Sequence, residues 1–345
     1  MQIENYNLPY NTVFHFMCLK NCIRQILDYY GVKGSLFYIN CVPDIILERR
    51  NNLSGEYTVA YQSNLSPILP KYSNRLKKFT YKEINSPEAW DDVLLKICEG
   101  YPVITMVDTF ELKYRSKDYH KNHGSHAIIV HDYDPVSEEL KIIDWYEPFF
   151  YKGSISKTEY FAARNSSNTY SNNPFSGHLL ENEWFFLIKE GWDEEQRTLL
   201  MDSFKLYLGY NSNSFSTERI NTYVGVNALE ILAKKLSTIS WSNRKEIENF
   251  YNNIYCEYKA KHLFLYYLKT YQEDNPSRFL DGVVLSLTKL CAEWDAATAL
   301  LLKTIITSSP ALFDKAHNRL SNILKQENNL VCVISEAYNR MLNDF

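Results

Sequence analysis

Two segments in the first third of the chain have apolar positions at helical spacing. In segment 18–31, Cys22 lies one turn after Cys18 and in line with Ile26, so these positions form one apolar stripe. Segment 86–99 begins with a Ser-Pro pair, in which the serine can cap a helix and the proline suits its first position. Its apolar positions are Trp90, Val93, Leu94 and Ile97. The pattern therefore predicts one helix that begins at Cys18 and another at roughly 86–99.

Several later segments are short, apolar and rich in β-branched or aromatic residues, which is typical of strands. They are segments 101–108, 126–132, 140–145 and 183–188. Segment 134–139 supplies proline and polar residues that favour a turn, so the strands on either side of it are predicted to form an antiparallel hairpin. The first part of the chain is therefore expected to be an α+β domain.

From about residue 193 the apolar residues follow a helical period over long stretches. One such stripe consists of Ala228, Ile231, Leu232 and Leu236. Packing in the core of a helix bundle explains these stripes better than a cofactor site does. We therefore predict a catalytic α+β domain over residues 1–192 and an all-α helical domain over residues 193–345.

The composition argues against several classes of function. The formal net charge is −4, which gives no overall footprint of nucleic-acid binding. The mean hydropathy is −0.35, and no apolar run reaches the roughly 18 residues that suggest a membrane span. The first residues lack the basic start and apolar core of a signal peptide, so a cytoplasmic location is expected. The seven cysteines form no CxxC pair, so neither a disulfide framework nor a structural zinc site is indicated.

Cys18, His126 and Asp144 stand in the chain order of a cysteine nucleophile, its base and a residue that orients the base. A helix N-terminus carries unpaired N–H groups and a partial positive charge, so a thiol there loses its proton more readily than a free thiol. In the predicted hairpin His126 begins one strand and Asp144 lies near the end of its partner, so antiparallel pairing brings them side by side. We therefore predict a catalytic triad of these three residues.

Other cysteines and histidines offer competing interpretations. Free cysteine usually packs as a small hydrophobe, and Cys22 on the apolar stripe is expected to do so. His120 and His123 precede the strand of His126, and three imidazoles close together suggest a metal cluster. No cysteine or carboxylate stands beside them at matching spacing, so neither a metal nor another cofactor is expected.

Two stretches resemble known families. Cys18, Cys22 and the Tyr29-Tyr30-Gly31 end resemble the nucleophile helix of the C39-like peptidase group within the papain-like fold. The stretch 107–126 looks more specifically like the butirosin biosynthesis protein H family. This resemblance covers roughly residues 10–190, and a weaker similarity to the family's helical C-terminal part extends through 223–229. It implies an N-terminal domain of α+β papain-like (C39-like) fold, followed by the all-α domain, with the triad at the positions predicted above.

The sequence departs from the pattern of these families beside the nucleophile. Many members have histidine immediately before the cysteine, whereas this chain has Met17. Papain-like peptidases use a glutamine about six residues before the cysteine to help form the oxyanion hole. Asn11 could donate a side-chain N–H there, although its register is off by one. The backbone N–H of Cys18 is the safer donor.

The resemblance implies a cysteine-dependent, ATP-independent N-acyltransferase of specialised-metabolite biosynthesis, in a nonribosomal or thiotemplated pathway of the antibiotic type. Such an enzyme takes an acyl group from the phosphopantetheine thioester of an acyl or peptidyl carrier protein and forms an amide with an amine. A closthioamide-type member, with a small diamine as acceptor, is one candidate. The alternatives are a cysteine peptidase or thioesterase and an inactive carrier-binding scaffold.

A basic segment leads into the strand of His126. Carrier proteins are commonly acidic, so this segment is a candidate docking site, against the alternative of an ordinary solvated loop. The residues predicted to contact the carrier are Lys113, Arg115, Lys117 and Lys121.

Overall fold

The structure is a computed structural model that describes residues 17–43, 46–48, 66–83, 86–144, 150–169, 175–177, 179–211 and 222–343. Contacts along the chain divide it into two compact units. The first consists of Met1–Ile39 and Pro67–Asp193, and the second of Asn40–Ser66 and Glu194–Phe345. No helix in the described ranges is both long and apolar enough to cross a membrane.

Helices and strands alternate in the first half of the described chain, and helices dominate the second half. The helices are α1 (Cys18–Tyr29), α2 (Pro87–Cys98), α3 (Lys157–Arg164), α4 (Gln196–Tyr210), α5 (Gly225–Thr238), α6 (Arg244–Asp274), α7 (Asp281–Thr307) and α8 (Pro310–Asn343). The strands are β1 (Ile46–Glu48), β2 (Leu76–Phe79), β3 (Val103–Asp108), β4 (Ser125–Asp134), β5 (Glu139–Asp144), β6 (Tyr151–Ser156), β7 (Trp184–Leu187) and β8 (Thr222–Val224).

The first unit is built on an antiparallel sheet with strand order β2-β7-β3-β4-β5-β6. Helix α1 lies against β3, β4 and β7. Apolar side chains of α2 and α3 pack with those of the central strands into one core, in which Val93, Ile128 and Tyr160 have no exposed surface. Burial of these side chains removes apolar surface from water and so stabilises the fold. The unit is therefore α+β, as predicted from the sequence.

The structure confirms the predicted helix α2 and the predicted hairpin of β4 and β5. Helix α2 begins after Ser86, whose hydroxyl accepts a hydrogen bond from the Ala89 backbone N–H at 3.3 Å. Strands β4 and β5 form the expected antiparallel hairpin, with Ile129 opposite Ile143. The register shifts between Val130 and Asp132, which marks a bulge that the alternation of residues did not reveal.

The second unit is mostly helical and contains α4 to α8 with one small sheet. In that sheet β1 pairs antiparallel with β8, so that Ile46 lies opposite Val224. The second unit thus includes Asn40–Ser66 together with the helices, whereas the sequence predicts a single boundary near residue 192. Strands that pair from distant parts of the chain leave no periodic signal at the boundary.

A buried ionic cluster lies inside the second unit. Lys261 Nζ donates to Glu327 Oε2 at 2.9 Å and lies 2.8 Å from Glu327 Oε1 and 3.1 Å from Glu257 Oε1. The indole N–H of Trp294 also points to Glu327, at 3.5 Å. All three ionisable residues are less than 5% exposed, so the cluster joins α6, α7 and α8 through charges that water does not solvate.

Candidate active site

Helix α1 positions the nucleophile candidate at its first residue. The helix begins at Cys18, as the sequence predicts, and Met17 at the N-cap supplies no side-chain hydrogen bond. The N-terminal end of the helix dipole therefore places partial positive charge beside the thiol. Cys18 is partly exposed, whereas Cys22 one turn later is 2% exposed and its thiol points to the carbonyl of Ala127 at 3.5 Å. Cys22 is thus a core residue, as expected.

The hairpin brings the base and the carboxylate together. His126 lies near the start of β4 and Asp144 at the end of β5. Extending the register from Ile129 and Ile143 places Asp144 two positions along β4 from His126, a diagonal spacing at which side chains on one face of a sheet can meet. His126 Nε2 lies 2.7 Å from Asp144 Oδ1. A carboxylate can only accept, so the imidazole donates its Nε2–H, and Nδ1 is the nitrogen left for the hydrogen bond with the Cys18 thiol.

Charges around Cys18 and His126 favour a thiolate on the cysteine and an imidazolium on the histidine. Burial opposes ionisation of Cys18, but the charge of His126, a hydrogen bond with its side chain and one with the Ala127 backbone together lower the pKa of the thiol. Burial also disfavours a charged imidazole, yet Asp144 and Cys18 outweigh both burial and Arg115 and raise the pKa of His126 to about 9. Both shifts act in the direction of a Cys18 thiolate paired with a His126 imidazolium, which is the reactive state of a cysteine nucleophile.

Asp144 is held by two further side chains. It has no exposed surface, and burial opposes its charge, but His126, Arg115 and Tyr114 keep its pKa below the ordinary value. The Tyr114 hydroxyl and Arg115 Nη1 each donate to Asp144 Oδ2 at 3.0 Å. Arg115 also reaches Asp118 Oδ2, at 3.2 Å from Nε and 3.1 Å from Nη2. These contacts fix the carboxylate so that Oδ1 faces the imidazole.

Arg115 corrects one expectation from the sequence. Its side chain is buried among Asp118, Asp144 and His126, with the residue 4% exposed, so it is not part of a docking surface. Tyr114 was not predicted as a site residue at all. No periodic signal distinguishes either residue, because both belong to an irregular loop. They do fall within the stretch 107–126 that carries the family resemblance.

The other residues predicted for carrier docking are exposed. Lys113 Nζ lies 3.6 Å from Glu159 Oε2, and Lys121 donates to the carbonyl of Ser116 at 2.9 Å. Lys117 is also exposed, so docking by these lysines stays a prediction. Asn11, the predicted oxyanion donor, lies outside the described residues.

A second buried carboxylate anchors the loop that carries Tyr114 and Arg115. Asp108 at the end of β3 accepts from the backbone N–H groups of Phe110 and Gly124, both at 3.0 Å. Its other oxygen accepts from His123 Nδ1 and from the Ser166 hydroxyl, both at 2.6 Å. His123 is therefore engaged with a carboxylate and stacks on Phe110. Within the described ranges no group of three or more His, Cys, Asp or Glu side chains is arranged to hold a metal ion.

Comparison with known proteins agrees with the sequence resemblance. Residues 17–145 match the family model for butirosin biosynthesis protein H, N-terminal, and this segment includes Cys18, His126 and Asp144. No curated protein matches the chain. The match supports a butirosin biosynthesis protein H-like assignment and indicates an enzyme of specialised-metabolite biosynthesis.

Proposed function

We propose that this chain, assigned to the butirosin biosynthesis protein H-like family by its residues 17–145, is a cysteine-dependent N-acyltransferase with a papain-like catalytic domain. It would move an acyl group from a carrier-protein thioester through Cys18 to an amine. The observation that carries the proposal is the buried pair of His126 and Asp144, at 2.7 Å, beside a thiol at the start of a helix. This arrangement supplies a nucleophile, a proton carrier and a group that orients it.

In the first half-reaction the Cys18 thiolate attacks the carbonyl carbon of the carrier thioester. A new carbon–sulfur bond forms, and the bond to the phosphopantetheine sulfur breaks. The leaving thiolate takes the proton of the His126 imidazolium, which yields free carrier thiol, an acylated Cys18 and a neutral imidazole. One thioester replaces another, so the step is close to isoenergetic and requires no ATP.

In the second half-reaction the amine nitrogen attacks the carbonyl carbon of the acylated Cys18. His126 accepts a proton from that nitrogen, and the bond to Cys18 breaks to restore the thiolate and the imidazolium. The products are an amide and the resting enzyme. Asp144 holds the imidazole so that Nδ1 faces the reacting groups throughout.

The tetrahedral intermediate of each step carries a negative oxygen that requires donors. The Cys18 backbone N–H, in the first turn of α1, is the donor that we assign to this oxygen. A side-chain donor from Asn11 would add to it. Met17 itself makes no side-chain hydrogen bond to this turn.

The exposed lysines at the edge of the site suit an acidic carrier. Lys113, Lys117 and Lys121 belong to the loop that leads into β4, the strand that carries His126. Their charges would attract an acidic carrier surface and the phosphate of its arm. Such steering weakens as salt is added, because exposed charges are screened.

Partition of the acyl group between amine and water tests the proposal. The enzyme is mixed with carrier protein loaded with a fatty or aromatic acyl thioester and with a panel of amines that includes small diamines, without ATP or metal. We expect chromatography to show amide formed faster than free acid, since an oriented amine competes with water by proximity. Free acid alone across the whole panel, or cleavage of a peptide at a comparable rate, would instead identify a thioesterase or a peptidase.

A further inference from the structure

The two oxygens of Asp144 are divided between two neighbours of opposite kind. Oδ1 accepts from His126 Nε2 at 2.7 Å, and Oδ2 accepts from Arg115 Nη1 and the Tyr114 hydroxyl, both at 3.0 Å. Arg115 Nη1 also lies 3.3 Å from His126 Nε2. Both of these nitrogens carry protons, so their approach is a charge contact and not a hydrogen bond. A guanidinium therefore lies directly against the imidazole of the site.

Three charged groups face His126, and they do not act in the same direction. Cys18 on α1 and Asp144 on β5 favour the imidazolium, whereas Arg115 on the loop before β4 disfavours it. Other titratable groups act through these three: Asp118 contacts Arg115, Tyr114 contacts Asp144, and Cys22 lies one turn from Cys18. Arg115 places a cation against the imidazole, with Nη1 3.3 Å from Nε2.

The two half-reactions need different protonation states of His126. The first starts from an imidazolium, which gives its proton to the leaving thiolate. The second needs a neutral imidazole, which accepts a proton from the amine. Acylation itself removes one of the two anions that favour the imidazolium, because Cys18 changes from a thiolate to a neutral thioester. Asp144 remains, and it is opposed by burial of the ring and by the fixed cation beside it.

We propose that Arg115 is a positioning residue that balances the charge of Asp144 at His126, so that acylation of Cys18 releases the imidazole as a base for the incoming amine. This inference rests on the proposed acyl transfer for its catalytic meaning. Its physical part concerns the charge balance alone and can be measured without any substrate. The division of roles follows from the geometry: Tyr114 donates to the same oxygen without a charge, and Arg115 adds the charge.

Titration of His126 by NMR in a Cys18→Ala background tests the charge balance. The substitution removes the thiolate, as acylation does, so we expect the titration midpoint of His126 to fall below its value in the unmodified protein. Adding Arg115→Met should raise the midpoint by about one pH unit, the lower end of the effect of a charge at this distance. Arg115→Lys keeps a cation and should restore most of the fall. Tyr114→Phe is the matched control, because it removes a donor to Asp144 Oδ2 without removing a charge, and it should leave the midpoint nearly unchanged.

A second variant keeps the test decisive if Arg115→Met does not fold. Asp118→Asn removes an anion that contacts Arg115 and whose side chain is 18% exposed. Loss of this anion strengthens the net positive charge beside His126, so the midpoint should fall further. An unchanged or raised midpoint in Asp118→Asn, or no rise in a folded Arg115→Met protein, would overturn the inference.

Single-turnover aminolysis separates this inference from the proposed function. The enzyme is first acylated by carrier thioester and then mixed with amine over a range of pH. In Arg115→Met the rising limb of the aminolysis rate should move to higher pH, by the same shift as the NMR midpoint. A merely structural role would lower the rate without moving the limb. If the unmodified enzyme never acylates, the proposed function fails while the NMR result still decides the role of Arg115.

Discussion

At the scale of single residues, contact with one histidine gives Cys18 and Cys22 opposite pKa shifts. Cys18 and Cys22 lie one turn apart on α1, and burial raises the pKa of both thiols. For Cys22 the charges of Cys18 and Asp144 add to burial, so its pKa lies well above the ordinary value. For Cys18 the contact with His126 reverses the balance. Reactivity at this site therefore comes from the partner of the thiol and not from the helix alone.

Alkylation of Cys18 should show this reversal directly. In the unmodified protein the thiolate is present below the pH at which a free thiol ionises, so the rate should reach its plateau at lower pH than for free cysteine. In His126→Ala burial and the Asp144 charge remain without the imidazolium, so the rate should rise only at higher pH than for free cysteine. The Cys18 peptide is followed by mass spectrometry after reaction with iodoacetamide. Coincident profiles for the two proteins would refute the ion pair.

Substitution of Asp144 should greatly slow acyl transfer. Asp144→Asn removes the anion that raises the pKa of His126 and leaves Arg115 buried against a neutral amide. By analogy with serine triads, the transfer rate should fall by roughly two to four powers of ten. Pre-steady-state kinetics measures this loss, and circular dichroism checks that the variant is folded. A loss below tenfold would mean that Asp144 does not orient the imidazole.

At the scale of elements, the helices and strands around the site could be predicted from the sequence. The path of the loop between β3 and β4 could not. The N-terminal position of Cys18 and the hairpin that joins His126 to Asp144 follow from local periodicity and turn residues, which the sequence displays. The approach of Tyr114 and Arg115 depends on the path of an irregular loop. That path is fixed by hydrogen bonds to Asp108, and side-chain bonds of this kind leave no period in the sequence.

Weakening the anchor of the loop should destabilise the first unit. Asp108→Asn disturbs a carboxylate that accepts two backbone and two side-chain hydrogen bonds, so we expect a loss of about 1–3 kcal/mol in the free energy of unfolding. Ser166→Ala removes one of these bonds, together with the one that the Asn168 N–H donates to the same hydroxyl, and should cost about 1 kcal/mol. Denaturant unfolding measures both. Equal losses in the two variants would show that the remaining bonds to Asp108 contribute nothing.

At the scale of the whole molecule, the chain forms two compact units whose boundary the sequence places only in part. The change to helical period near residue 193 marks the start of the long helices. The second unit also includes Asn40–Ser66, in which β1 pairs with β8 from a segment far along the chain. Composition and period describe neighbours in sequence, so they indicate the change to long helices and carry no signal of the pairing between β1 and β8.

The buried ionic cluster should matter strongly for the stability of the second unit. Lys261→Met leaves Glu257 and Glu327 buried without their cation, and breaking such a pair costs about 3–5 kcal/mol. Lys269→Met, at an exposed position on the same helix, is the matched control and should change the stability by less than about 0.5 kcal/mol. Thermal and denaturant unfolding give both values. Similar stability of the two variants would mean that the carboxylates do not need Lys261.

Intact-mass analysis of the enzyme after brief exposure to acyl-loaded carrier protein tests the central claim most directly. We predict a mass increase equal to one acyl group, mapped by peptide analysis to Cys18, absent in Cys18→Ala and retained in Cys22→Ala. Addition of a suitable amine should remove the acyl group and yield the amide. An acyl group on Cys22 or on another residue, or no adduct in a folded protein that still consumes the thioester, would contradict the assignment of Cys18 as the nucleophile.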